Sequence, residues 1–373
     1  MKSTLLRGWH EAHGARFAPF AGFEMPIQYE SGAIKEHQLC RRSVGLFDID
    51  HMGQVIISGD GAGEALSALV SNKILDMKEN EARYALLLND EGGVIDDLFI
   101  YKMEESESAA KDGWFVVLNA GNRDVDIAHF KKMLPSSISM KDVSEECYMI
   151  SIQGPRAVEL IDAVSNGALS ALPRFTMGMA EIMGVQVRIG RTGYTGEDGA
   201  ELFYDAAYGE AMWQFFLDEA EKRGIEAGPI GLAARDSLRF EAGMPLHGHE
   251  ISSSINPLEA LLSWACDFEK DFVGKEALLA IKEKGVARKL VTLNVTGGVP
   301  REGYAVLDES GEQIGACVSG MFCPTVGSYS ANAFVKTEYA KVDTKLAISI
   351  RDNAKSAVVI KRPLYTPVYR RTK

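Results

Sequence analysis

From about residue 285 the texture of the chain changes, and no other feature limits its fold as much. The stretches ARKLVTLNV, YAVLDESGEQIGACVSG, SYSANAFVK, KLAISIRDN and SAVVIKRPLY are short, strand-forming and divided by turn residues. That pattern predicts a small all-β, barrel-like unit over residues 285–373. The preceding GKEALLAIKEKG reads as a helix and a natural linker. Before it, over residues 1–284, helical and strand patterns alternate irregularly, so the expected class is α+β. A length of 373 residues suggests two or three domains.

Within the larger part, residues 3–15 read as a helix with Leu5, Leu6 and Trp9 on one side. FAPFAGFEMPIQY, with Pro19 and Pro26, reads as an irregular buried segment. ARYALLLNDEGGVIDDLFIYKM has the strand, Gly-rich turn and strand of a hairpin. GEAMWQFFLDEAEKRG is an amphipathic helix ended by Gly224. Residues 231–244 form a further helix with apolar residues on two sides, as expected of one wedged between neighbours.

A formal net charge of −12 argues against nucleic acid or an anionic membrane as the main partner. Arg41-Arg42 and Arg370-Arg371 are basic pairs read as solvated surface, or as a docking patch for an acidic protein. The cysteines Cys40, Cys147, Cys266, Cys317 and Cys323 are odd in number and lack C-x-x-C spacing. They indicate neither a disulfide framework nor a zinc site, and a reduced, cytoplasmic compartment is expected. His247 and His249 in PLHGHE could begin a metal site but lack a third ligand, so no metal is expected. MKSTLLRGWHEAHG has no long apolar run, and no secretory signal or membrane span is read.

GRTGYTGEDGAELF spaces Gly190, Gly193, Gly196 and Gly199 every third residue. A phosphate cradle would need a lysine or a helix start nearby, and this run instead carries Glu197, Asp198 and Glu201. The glycines still require left-handed backbone or a close approach. In GGVIDDLFIY, Asp96 and Asp97 point to opposite faces of a strand, so only one can enter a given cavity. Flanked by apolar residues, that carboxylate could be desolvated and its pKa raised; as edge-strand acids, both could equally lie in water. Arg235 and Arg239 share a helix face, where they could grip a ligand carboxylate or pair internally with Asp236, Glu241 or Glu201. No nucleophile elbow and no dinucleotide fingerprint occur.

Read together, FAGFEMPIQY, VGLFDIDHMGQ, GGVIDDLFIY, SIQGPRA, RTGYTGEDGAEL, GLAARDSLRFEAGMPLHGHE and DFVGKEAL resemble, in order, the T-protein family of the glycine cleavage system. The resemblance spans about residues 4–371. It implies a three-domain cloverleaf, with residues 1–284 as two interleaved α+β domains and a C-terminal barrel. It implies a tetrahydrofolate-dependent aminomethyltransferase that takes the aminomethyl carbon from the lipoylated H-protein. The products would be 5,10-methylene-tetrahydrofolate, ammonia and dihydrolipoyl H-protein. By motif position Asp97 is implied as the catalytic carboxylate, Glu201 as the acid gripping the pterin, and Arg235 as lining the folate site. Tyr84, Tyr194 and Tyr369 match aromatic or polar contacts to tetrahydrofolate, and Met52 borders the pterin. A pterin offers two adjacent N–H donors, which a carboxylate accepts as a fork. The chain departs from the family at Phe23, where tryptophan is usual, at Asp50, where serine is usual, and in FCPTVGSYSANA. These departures bear on the identity of the donor. Two rival readings stand beside this one: a folate-dependent demethylase of another small methylated donor, and a non-catalytic folate-binding protein, whose branch carries a lysine-glycine-cysteine motif that does not occur here.

Overall fold

The structure, a computed structural model, describes residues 1–105, 112–367 and 369. The hairpin read in ARYALLLNDEGGVIDDLFIYKM forms as Ala82–Leu88 paired antiparallel with Val94–Lys102. It opens a five-stranded sheet that continues through Gly113–Leu118, Gly53–Ser58 and Ser139–Asp142. The helices Ala62–Leu69 and Arg123–Met133 turn Leu66 and Phe130 into a core with Val55, Ile57, Leu98 and Trp114. A six-stranded sheet runs Met177–Ile182, Val185–Gly190, Gly199–Asp205, Cys147–Gln153, Val44–Asp48, Ala227–Pro229, with only the last pair parallel. Val44–Asp48 precedes the whole five-stranded sheet in the chain and Cys147–Gln153 follows it. The two sheets are therefore interleaved.

The C-terminal strands close into a six-stranded barrel over Arg288–Ile360, the β unit expected from the texture of the sequence. Alternate residues such as Leu293, Val306, Ile348 and Val359 fill it. The helix Lys275–Lys284 leads into it.

The amino-terminal region differs from expectation in two places. The first helix covers only Arg7–Ala12. FAPFAGFEMPIQY is a hairpin, Arg16–Phe20 against Phe23–Gln28 with a register shift between Arg16 and Phe17, turned by Ala21 and Gly22 in the left-handed region at φ 50° and 82°. Two prolines argue against a strand only where each N–H must bond. This hairpin forms a separate two-stranded sheet, so each strand keeps an open edge where a missing N–H costs nothing.

The wedged helix is Leu232–Glu241, held between the helix Ala33–Arg42, the strand Phe23–Gln28 and the barrel strand Gln313–Cys323. Its polar residues explain how a helix can be buried on two sides. Glu241 accepts from the Thr325 N–H at 2.8 Å and lies 3.2 Å from His37 Nε2, while Ser237 meets His37 Nδ1 at 2.7 Å. Arg41, expected at the surface, is drawn into the same seam. Its guanidinium donates to Glu197 and the Thr195 carbonyl, lies 3.3 Å from Glu241 and stacks on Tyr365. Its neighbour Arg42 stays exposed and pairs with Glu226. Arg370 and Arg371 lie outside the described residues.

A second buried seam joins this helix to the barrel. The Glu250 carboxylate accepts from Arg239 Nη1, the Leu246 N–H, Ser319 Oγ and Asn332 Nδ2, at 2.8, 3.0, 2.5 and 2.8 Å. Burial alone would raise Glu250, but the Arg239 charge and then these hydrogen bonds hold it below the ordinary carboxylate value.

Candidate active site

The hairpin strands, the Gly-rich loop, the wedged helix and the segments on either side of the barrel enclose a cavity of about 930 Å³. Six of the seven site residues named from the sequence line it: Met52, Tyr84, Asp97, Tyr194, Glu201 and Arg235. Tyr369 is absent from the lining residues. Its hydroxyl donates to the Gly196 carbonyl at 2.8 Å and its ring lies 3.4 Å from the Arg174 guanidinium carbon, behind the Gly-rich loop.

Strand alternation selects between the two adjacent acids. Val94–Lys102 lies inside the five-stranded sheet, not on its edge, so the reading of both acids as solvated edge residues fails. Asp97 faces the cavity while Asp96 is fully buried on the opposite face. There Asp96 accepts from the Asn119 N–H at 3.0 Å and from Asn122 Nδ2 at 2.7 Å. Asn119 Nδ2 also reaches Asp97 Oδ1 at 2.7 Å, so one carboxamide fixes both acids. Burial first, then the negative charge of Asp96, raises Asp97 above the ordinary carboxylate range. The Tyr84 hydroxyl, closed off from solvent, and the Asn119 carboxamide partly offset that rise. Asp97 is thus a carboxylate whose charge lacks water and whose best partner is a cation in the cavity.

Glu201 stands at the start of Gly199–Asp205. Thr192 Oγ1 donates to its Oε2 at 2.6 Å, and Tyr101 adds a long contact at 3.5 Å. Among the described residues Oε1 accepts nothing. Burial raises Glu201, which Thr192, Arg235 and Tyr101 oppose. The internal salt bridge considered for the two arginines is made by Arg239, with Asp236 and Glu250. Among the described residues Arg235 forms no ion pair and only stacks on Tyr194, 4.7 Å from its ring centre. The Tyr194 hydroxyl donates to the Pro245 carbonyl, which ties the loop to the segment after the wedged helix.

The glycines have separate reasons. Gly199, at φ 154°, sits where a Cβ would meet the Ile152 carbonyl at 2.1 Å. At Gly193 a Cβ would meet Gln153 Oε1 at 2.0 Å, and Gln153 is held by the Thr192 carbonyl and by Thr195. Gly193→Ala is expected to destabilise the fold by about 1–3 kcal/mol, the usual cost of overpacking. A denaturant melt beside Gly8→Ala, where nothing lies within 4 Å, checks this.

Asn119 and His51 were not singled out from the sequence. His51 lines the cavity with both ring nitrogens unpartnered, and burial, then Arg235, lowers it to about 3. Held neutral by burial, its ring has one donor and one acceptor to offer the cavity. Asn119 directly follows the strand Gly113–Leu118, and only the fold brings it beside the paired acids. Asp50 lies off the cavity, accepts from the Met149 N–H at 3.2 Å and is pushed up to about 9 by burial and Asp48. His247 and His249 both line the cavity, and among the described residues no cluster of three or more potential metal ligands forms.

Residues 6–270 match the GCVT N-terminal domain family and residues 288–366 the glycine cleavage T-protein C-terminal barrel domain family. The chain is 41% identical over 369 residues to an aminomethyltransferase of Saccharopolyspora erythraea, covering 98% of each chain. It is 38% identical over 367 residues to an aminomethyltransferase of Desulforamulus reducens, again covering 98% of each. The crystal structure of the glycine cleavage system aminomethyltransferase T from Bartonella henselae superposes with a TM-score of 0.90 at 31% identity, covering 98% of each chain.

Proposed function

Because this chain belongs to the glycine cleavage T-protein family of aminomethyltransferases, we propose that its cavity moves the aminomethyl carbon from the lipoyl arm of an H-protein to tetrahydrofolate. The products are 5,10-methylene-tetrahydrofolate, ammonia and the dihydrolipoyl carrier. The observation that carries this reading is the placement of a raised carboxylate, Asp97, in the same chamber as an acid with an open oxygen, Glu201, and an uncommitted cation, Arg235.

Those residues fit a reduced folate. Its pteridine presents paired N–H donors beside a carbonyl, and Glu201 and Arg235 supply the matching acceptor and donor. Tetrahydrofolate supplies the secondary amines that receive the transferred carbon. Thr192 holds Glu201 through Oε2 and leaves Oε1 for the ligand. Tyr194 backs Arg235, and Met52 contributes an apolar surface. Asp97, oriented by Asn119, stabilises the positive charge that develops on the transferred carbon when its bonds to sulfur and nitrogen loosen. It needs to form no covalent bond. Orientation and a water-poor field are its contribution.

No helix among the described residues is long and apolar enough to cross a membrane. The test is formation of methylene-tetrahydrofolate from glycine, with lipoylated H-protein and the decarboxylating partner supplied. Turnover that vanishes when H-protein is omitted is expected. Folate binding with turnover of some other methylated donor, and none from the H-protein, would replace this reading.

A further inference from the structure

Arg362 is the second guanidinium in the cavity without an ion pair among the described residues. It follows the last barrel strand, Asn353–Ile360, and enters the chamber from the barrel side. Its Nη2 donates to the Gly243 carbonyl at 2.8 Å, while Nη1 is shut off from solvent and has no partner. The carboxylate whose charge it feels is Glu250. A carboxylate has about four acceptor positions, and Glu250 already receives Arg239, Leu246, Ser319 and Asn332. Glu250 therefore cannot complete the fork of Arg362.

An enclosed guanidinium with an unused N–H is costly unless something arrives to meet it. Arg235 and Arg362 reach the chamber from different elements. Arg235 projects from the helix Leu232–Glu241 and stacks on Tyr194. Arg362 comes from the segment after the last barrel strand and is held at the Gly243 carbonyl. A ligand with a polar ring at one end and carboxylates at the other would use both, and guanidinium forks suit carboxylates.

We propose that Arg362 is a carboxylate anchor, pairing with the glutamate tail of the folate while Glu201 and Arg235 hold its ring. This rests on the folate reading above and extends it to a subsite for the tail. His249 also lines the cavity with Nδ1 unpartnered and is a second group that could meet the tail.

Dissociation constants of tetrahydrofolate and of tetrahydropteroate, which lacks the glutamate, test this in the wild type and in Arg362→Gln. The wild type is expected to hold tetrahydrofolate at least about tenfold more tightly, the usual worth of a hydrogen bond to a charged group. Arg362→Gln should remove that gap by weakening tetrahydrofolate alone. The unliganded variant should melt no lower than the wild type, because it loses an unsatisfied buried cation. No gap in the wild type, a gap that survives in the variant, or equal weakening of both ligands would each overturn the anchor and leave the folate reading standing. A wild type that binds neither ligand would overturn the folate reading, and the anchor with it.

Discussion

Asp97→Asn is expected to lower kcat by about 10²–10³-fold, the typical loss when one preorganised electrostatic group is removed from an enclosed site. The substitution keeps the shape and the bond to Asn119 but abolishes the charge facing the transferred carbon. Tetrahydrofolate affinity should change little, because Glu201 and Arg235 remain. The pH profile gives an independent readout. Asp97 is raised by burial and by Asp96, and the anion is the working form, so wild-type kcat should fall as pH drops through that raised value. Residual Asp97→Asn activity should lack that acid limb. Stability moves the other way. A carboxyl raised in the folded state binds its proton more tightly there than in the unfolded chain, so it costs stability as pH climbs above the unfolded value of about 3.9. Asp97→Asn should therefore melt higher than the wild type at pH 8, and the difference should shrink towards pH 4. Normal turnover in the variant would remove Asp97 from the mechanism.

Glu250→Ala should produce the largest loss of stability. It would strand the Arg239 guanidinium, 1% exposed, and remove the acceptor that Ser319 and Asn332 share across the seam to the barrel. Breaking such a buried pair from one side costs about 3–5 kcal/mol, a large part of an ordinary folding free energy. Since Glu250 is held below its ordinary value, its contribution is full above the unfolded pKa and fades as pH falls through the folded one. Urea midpoints at pH 7 for Glu250→Ala, Arg239→Met and the double variant measure the coupling. A double variant clearly less stable than Glu250→Ala would contradict a stranded arginine as the source of the loss.

The parts of the fold that could be read from sequence are those whose signal is local. The hairpin Ala82–Leu88 with Val94–Lys102, the helix Gly209–Lys222 and the barrel strands each carry their own periodicity and their own turn or stop. Strand alternation likewise meant that only one of Asp96 and Asp97 could enter a cavity, before any cavity was known. The hairpin Arg16–Gln28 was hidden because its prolines are tolerated only on open edges, and edge status belongs to the assembled sheet. Arg41 read as surface because a sequence shows its charge and not the Glu197 and Glu241 that wait for it far along the chain. Motif resemblance pointed to Glu201 and Arg235, yet local pattern could not tell that Arg239 takes the internal acids and leaves Arg235 free. Asn119, His51 and Arg362 acquire meaning only when distant segments converge.

That convergence has a consequence for how the protein comes into being. Walls of the cavity are drawn from Phe20 at one end of the chain to Arg362 near the other. Synthesis proceeds from the amino terminus and domains fold as they emerge, so both interleaved sheets can pack before the ribosome has delivered the segment bearing Arg362. The complete chamber is consequently among the last things to exist. A message truncated within the barrel would yield a polypeptide with much of its core and an open, unfinished wound where the pocket belongs.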